Sequence, residues 1–130
     1  MTSLAFVFPG QGSQSVGMLT AAHEAYPEVS ETFAEASEAL GFDLWELARV
    51  GPAEAQSLTA NTQPLILSAS VALFRAWRRH GGAMPSVVAG HSLGEFSALV
   101  AAGSLDFTDA VTLVRLRGQA MQDAVPVGEG

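Results

Sequence analysis

The stretch Val87-Val88-Ala89-Gly90-His91-Ser92-Leu93-Gly94-Glu95-Phe96-Ser97-Ala98-Leu99 decides the fold. It opens as a short apolar run with β-branched residues, passes through Gly-x-Ser-x-Gly, and continues as a helix-favouring apolar segment. Strand, tight turn and helix in that order make Gly-x-Ser-x-Gly a nucleophile elbow, with the serine thrust outward on strained backbone. Gly90 and Gly94 remove the Cβ atoms that would collide where strand and helix pass closely. Ser92 then stands at a helix N-terminus, whose free N–H groups and dipole favour a developing negative charge. Acyl transfer requires these features. The same residues also fit a plain capping box, with Ser92 as N-cap and Glu95 at N3. The five-residue pattern arises by chance in very roughly one chain in ten of this length and glycine content. The apolar strand before it and the helix after it make the coincidence several-fold rarer.

Composition narrows the alternatives. The chain has 130 residues, enough for one domain with a sizeable core, and 48% of them are hydrophobic against 15% charged. Its net charge is −7, from six arginines, no lysine and 13 acids, so no basic stripe exists to neutralise phosphates. Nucleic-acid binding is not expected. The missing lysine excludes Schiff-base chemistry and a Walker A loop, and the missing cysteine excludes disulfides, thiol catalysis and cysteine-ligated zinc. No metal site is expected. Leu4 to Phe8 is too short for a signal-peptide core, and no apolar run is long enough to span a bilayer, so a cytoplasmic protein without membrane contact is expected.

Leu4 to Phe8 reads as a buried strand closed by Pro9-Gly10. The loop Gly10-Gln11-Gly12-Ser13-Gln14-Ser15 invites comparison with the dinucleotide fingerprint, but Ser15 occupies the third glycine position. The loop better suits backbone N–H groups pointing into a site at the strand's carboxyl end. Val16 to Ala25 is expected to be helical, as is Glu28 to Leu40, where Val29, Phe33, Ala36 and Leu40 share a face and Glu31, Glu35 and Glu38 form a solvated row. Gly41 ends that helix and Asp43 to Val50 forms a short one. Asn61-Thr62-Gln63-Pro64 reads as a helix start with Pro64 at N1, leading into the apolar segment Leu65 to Arg79. Arg75, Arg78, Arg79 and His80 gather at its C-terminal end, where cations suit the dipole. Val87 to His91 is the second strand.

The last helix, from Asp106 onward, carries an arginine in its apolar stripe: Ala110, Leu113, Val114, Arg117 and Met121 fall on one face. Planar guanidinium donors placed there are costly without partners, so Arg117 snorkels to the edge of the stripe, pairs with a structural acid, or holds a substrate carboxylate bidentately. Arg115 is expected to point elsewhere as an ordinary surface charge.

Taken together, Phe8-Pro9-Gly10-Gln11-Gly12-Ser13-Gln14, Asn61-Thr62-Gln63-Pro64, Gly90-His91-Ser92-Leu93-Gly94-Glu95 and Arg115-Leu116-Arg117-Gly118 closely resemble the malonyl-CoA:acyl carrier protein transacylases of fatty-acid synthesis. The likeness runs from Leu4 to the last residue, with every motif in order. It implies Ser92 as the nucleophile that takes the malonyl group from coenzyme A as an ester. The backbone N–H groups of Gln11 and Leu93 become the oxyanion hole, and Arg117 the partner of malonate's free carboxylate. His91, Met121 and Gln63 line or support the pocket. No cofactor is implied beyond the coenzyme A thioester itself, and the acceptor is the phosphopantetheine thiol of acyl carrier protein.

The resemblance also implies that the base is a histidine beyond residue 130. Residues 1–130 are accordingly expected to be the N-terminal part of the large acyltransferase subdomain. The fold class is α/β: a partial α/β-hydrolase-like core of parallel strands with helices on both faces, without the family's ferredoxin-like small subdomain. Alone, the chain is expected to lack turnover; complete, the protein is expected to be a monomer. A serine hydrolase of lysophospholipase type and a non-catalytic fragment that only binds a partner are the competing readings.

Overall fold

Ala5–Phe8 (β1) and Val87–Gly90 (β2) pair in parallel, Ala5 opposite Val87 and Phe8 opposite Gly90, in the computed structural model, which describes residues 3–129. A parallel pair needs a long crossover. Here it is wholly helical: Thr20–Ala25 (α1), Pro27–Leu40 (α2), Leu44–Val50 (α3), Ala53–Gln56 (α4) and Thr59–Arg79 (α5). Leu93–Ala101 (α6) and Phe107–Ala124 (α7) follow β2. Two expected ends are met by identifiable groups. Gly41 closes α2 with φ 82°, and the Asp43 carboxylate accepts from the Glu46 N–H at 3.0 Å to open α3.

The central element is α5, buried on nearly every side and packed against α2, α6 and α7. Leu65, Ile66 and Leu67 lose almost all contact with water, each stabilising the fold by about 1.5–3 kcal/mol. Phe33 of α2, Leu44 of α3, and Val111 and Val114 of α7 complete this core. Phe74 of α5 meets Phe6 edge-on at 5.5 Å and, with Phe8 and Ala98, seals the helices to one face of the strands. The other face carries Ala5, Val7, Val87 and Ala89. Val7 is 78% exposed and Val87 60%, so among the described residues no helix covers that side. The helices expected on both faces of the strands are therefore present on one face only among the described residues.

Three expectations change. Helix α1 starts at Thr20 and not at Val16, because Gly17 and Leu19 adopt left-handed backbone (φ 85° and 63°). Helix α5 starts at Thr59, which puts Pro64 inside its second turn and not at N1. The buried stripe of α7 is Phe107, Ala110, Val111, Val114 and Gly118, rotated from the expected face, and Leu113 is 43% exposed. Glycine at 118 is the reason. A Cβ there would lie 2.7 Å from Ala60 Cα and from the Thr59 carbonyl, so the residue with no side chain marks the closest approach of α7 to α5.

His80 caps α5, as expected, and its Nε2 also lies 3.3 Å from Oε2 of the buried Glu28. The backbone N–H of Glu28, at the α2 N-terminus, holds its carboxyl below the usual carboxylate value, with His80 and Arg79 acting in the same direction against burial. A depressed folded pKa contributes stability above the unfolded value near 4.5, and loses it as pH falls through the folded value. Urea midpoints measured from pH 6 to pH 3 are therefore expected to drop on the acid side, and Glu28→Gln to flatten that drop.

Candidate active site

At the end of β2 the chain turns within two residues into α6. Ser92 stands at the turn with φ 55° and ψ −114°, a conformation outside the left-handed helical well that costs a non-glycine residue roughly 1–3 kcal/mol. The neighbouring glycines permit the turn. A Cβ on Gly90 would lie 2.0 Å from the Gly94 backbone, and one on Gly94 would lie 2.2 Å from the Phe8 carbonyl oxygen. Helix α6 thus starts directly against the ends of both strands. The Ser92 side chain makes no capping bond and is exposed, so the capping box does not form.

Beside the hydroxyl is Arg117. Its Nη2 donates a long bond to Ser92 Oγ at 3.4 Å, and its Nη1 donates to Gln63 Oε1 at 3.0 Å. Gln63, 1% exposed, is held in turn by donating from Nε2 to the Met121 sulfur at 3.0 Å. The Phe96 ring lies under the guanidinium, with its centroid 5.3 Å from Cζ. No carboxylate among the described residues reaches Arg117. The fork therefore keeps a free donor edge at the serine.

The loop after β1 abuts the same turn, since a Cβ on Gly10 would lie 2.8 Å from the His91 carbonyl oxygen. The Gly94 N–H is taken by the His91 carbonyl at 2.9 Å and that of Glu95 by the Ser92 carbonyl at 3.1 Å. The N–H groups of Gln11 and Leu93 have no backbone acceptor among the described residues. The Gln11 side chain donates to Thr59 Oγ1 at 3.1 Å, and beside it a groove of about 470 Å³ runs between Leu58, Met121 and Val125.

None of the three histidines hydrogen-bonds Ser92. His91 is exposed on the Gly10 side, His23 stacks on Trp45 at 4.0 Å, and His80 faces Glu28. A second groove, about 890 Å³, lies at the C-terminal end of α5 near Thr32, Arg75 and Phe107, away from this constellation. There Arg75 pairs with Glu35 at 2.6 Å, Arg78 donates to the Gly82 carbonyl and Arg79 lies 4.0 Å from Glu28.

Sequence reasoning missed two residues. Phe96, four beyond Ser92, had a readable signal in the i, i+4 spacing that puts it on the serine's side of α6. Arg115 is not a surface charge: its Nη1 donates to the Ala60 carbonyl at 2.9 Å and to the Asn61 side-chain oxygen, with the Phe42 ring 5.2 Å from Cζ. Only the position of α5 reveals this.

A parallel strand leading through a strained, outward-facing serine into a helix defines an α/β protein of the nucleophile-elbow class. Residues 5–130 match the family model described as acyl transferase domain, and the chain belongs to that family. It is 63% identical, over its whole length, to the malonyl CoA-acyl carrier protein transacylase of Escherichia coli O157:H7, of which it covers 42%. Among solved structures it resembles an acyl carrier protein S-malonyltransferase from Vibrio cholerae, with a TM-score of 0.94 and 58% identity, covering 98% of this chain and 42% of that one. A malonyl-transacylase solved in complex with a type II polyketide acyl-carrier protein gives a TM-score of 0.94 at 57% identity, covering 96% of this chain and 40% of the other. The chain thus spans about two-fifths of the length of the relatives it matches.

Proposed function

We propose that residues 1–130 are the N-terminal part of the large subdomain of a malonyl-CoA:acyl carrier protein transacylase, carrying its nucleophile and its carboxylate anchor. Ser92 Oγ attacks the thioester carbonyl of malonyl-CoA, giving a seryl ester and releasing the coenzyme A thiol. The phosphopantetheine thiol of acyl carrier protein then takes the malonyl group in a second half-reaction. The negative charge that develops on the carbonyl oxygen in each half falls to the free N–H groups of Gln11 and Leu93. The proton leaves Ser92 to a histidine supplied from beyond residue 130. The complete protein works in the cytoplasm as a monomer, without a cofactor.

The observation that carries this reading is Arg117, unpaired with any described acid and 3.4 Å from the serine oxygen. Malonate differs from neutral acyl groups by one carboxylate, and a site built for that charge disfavours substrates that leave it unpaired. A hydrolase of neutral esters has no use for such a fork.

Arg117→Ala in the complete polypeptide that the gene encodes is expected to lower kcat/KM for malonyl-CoA on the order of a hundredfold or more. Acetyl-CoA should lose little, and Arg117→Lys should fall between, because a point charge replaces a bidentate fork. Equal rates on malonyl-CoA in the alanine variant and the parent would remove the carboxylate role and favour the hydrolase.

A further inference from the structure

Residue 60 is gripped by α7 from two sides. The Ala60 N–H, left without a helical partner in the first turn of α5, donates to Gln122 Oε1 at 2.6 Å. The Ala60 carbonyl would ordinarily accept from the N–H four residues on, but that residue is Pro64, which has none. Arg115 Nη1 donates there instead at 2.9 Å, and its second hydrogen goes to the Asn61 side-chain oxygen. Asn61 is itself fixed, donating from Nδ2 to the Ala55 carbonyl at 2.9 Å. Between these bonds the Gly118 backbone rests directly on Ala60.

Arg115 and Arg117 lie roughly 80° to either side of the midline of the buried α7 stripe. Helix α7 therefore straddles α5. Arg115 and Gln122 reach down one flank to residue 60, while Arg117 and Met121 reach down the other to Gln63. A roll or slide of α7 that preserved apolar packing would still break the bonds to Ala60. It would also move the Arg117 guanidinium away from Ser92.

We propose that Arg115 is a positioning residue for Arg117: by occupying the carbonyl that Pro64 leaves open, it sets the rotation and register of α7 and so the preference for a carboxylate-bearing acyl group. This rests on the reading of Arg117 given above. Arginine suits the task because one nitrogen supplies two hydrogens in a fixed plane while the guanidinium face lies on the Phe42 ring. Pro64 and Arg115 then form a complementary pair, one opening the bond and the other filling it.

The test measures kcat and KM for malonyl-CoA and acetyl-CoA, with thermal midpoints, in the complete polypeptide and its variants. Arg115→Met is expected to lower the malonyl-to-acetyl ratio of kcat/KM at least tenfold, chiefly through a higher KM for malonyl-CoA. Arg115→Lys is expected to lower it at least threefold. Adding Pro64→Ala to Arg115→Met should raise the thermal midpoint, since the restored N–H can bond the Ala60 carbonyl, but leave the ratio low, since that bond lies within α5 and does not hold α7. Recovery of the ratio would overturn the proposal.

Equal losses on both substrates together with a lower midpoint would mean support of the fold only, and would overturn the proposal. A ratio that collapses in Arg117→Ala but holds in both Arg115 variants overturns this proposal and leaves the role of Arg117 standing. A ratio that survives Arg117→Ala overturns both. If Arg115→Met gives no folded protein, Arg115→Lys decides, and an unchanged ratio there overturns the proposal.

Discussion

Replacing Ser92 with alanine is expected to abolish the acyl adduct seen by intact-protein mass spectrometry after mixing with malonyl-CoA, and to lower transfer by a factor on the order of 10⁴ or more. The complete polypeptide is the material for both measurements. The size follows from the proposed site: the remaining groups would still hold a thioester and polarise its carbonyl, but among the described residues no other hydroxyl or thiol stands at the turn. Stability should move little, because the Ser92 side chain is exposed and caps nothing. Ser92→Gly sharpens the contrast. It removes the nucleophile and also relieves the strained backbone, so it is expected to raise stability by about 1 kcal/mol while eliminating the adduct. An adduct that persists in Ser92→Ala would place the nucleophile elsewhere.

The second large effect concerns the turn that presents the serine. Gly90→Ala is expected to destabilise the chain by about 3–5 kcal/mol, a large share of the roughly 5–15 kcal/mol that holds a domain together. The added Cβ would lie 2.0 Å from the Gly94 carbonyl carbon and oxygen and 2.5 Å from the Glu95 nitrogen. All three are backbone atoms in the first turn of α6, so relief requires moving the helix off β2. Gly103→Ala is the control. That residue has φ 78° and open space around it, so the substitution meets only left-handed strain of about 1 kcal/mol. Urea midpoints separate the two. Similar losses at both positions would show that the elbow is not packed as tightly as the strand-to-helix contact requires.

The two effects differ in kind. At Gly90 the fold requires the residue, and loss of activity would follow loss of structure. At Ser92 the residue opposes the local fold, and activity should vanish while the fold gains. Strain at the exposed Ser92, held by close packing of the glycines beneath it, is what would link the sequence motif to the proposed chemistry.

What the sequence by itself determined is whatever depends on neighbours along the chain. The elbow is written in five consecutive residues whose spacing permits one turn. The ends of α2 and α3 follow from Gly41 and Asp43, because a left-handed residue and a capping carboxylate act within a single turn of helix. Composition was enough to exclude lysine and cysteine chemistry from these 130 residues, since absent side chains cannot be supplied by folding. The apolar stripe of α7 was legible as a stripe but not in its rotation. Helical spacing put Arg117 in the stripe and Arg115 at the surface, whereas in the fold the two flank the buried stripe, and only the location of α5 settles which contacts each one makes.

Tertiary structure alone decided that Pro64 sits within a helix, because the carbonyl it leaves open is filled by a side chain 51 positions further on, Arg115. It decided that one face of the strands carries Val7 and Val87 uncovered among the described residues, since alternation shows which residues share a face and not what lies against it. It also decided that a guanidinium from α7 and a hydroxyl from the end of β2 stand 3.4 Å apart. Local forces act over a few residues, whereas that distance is set by how three helices pack on one another.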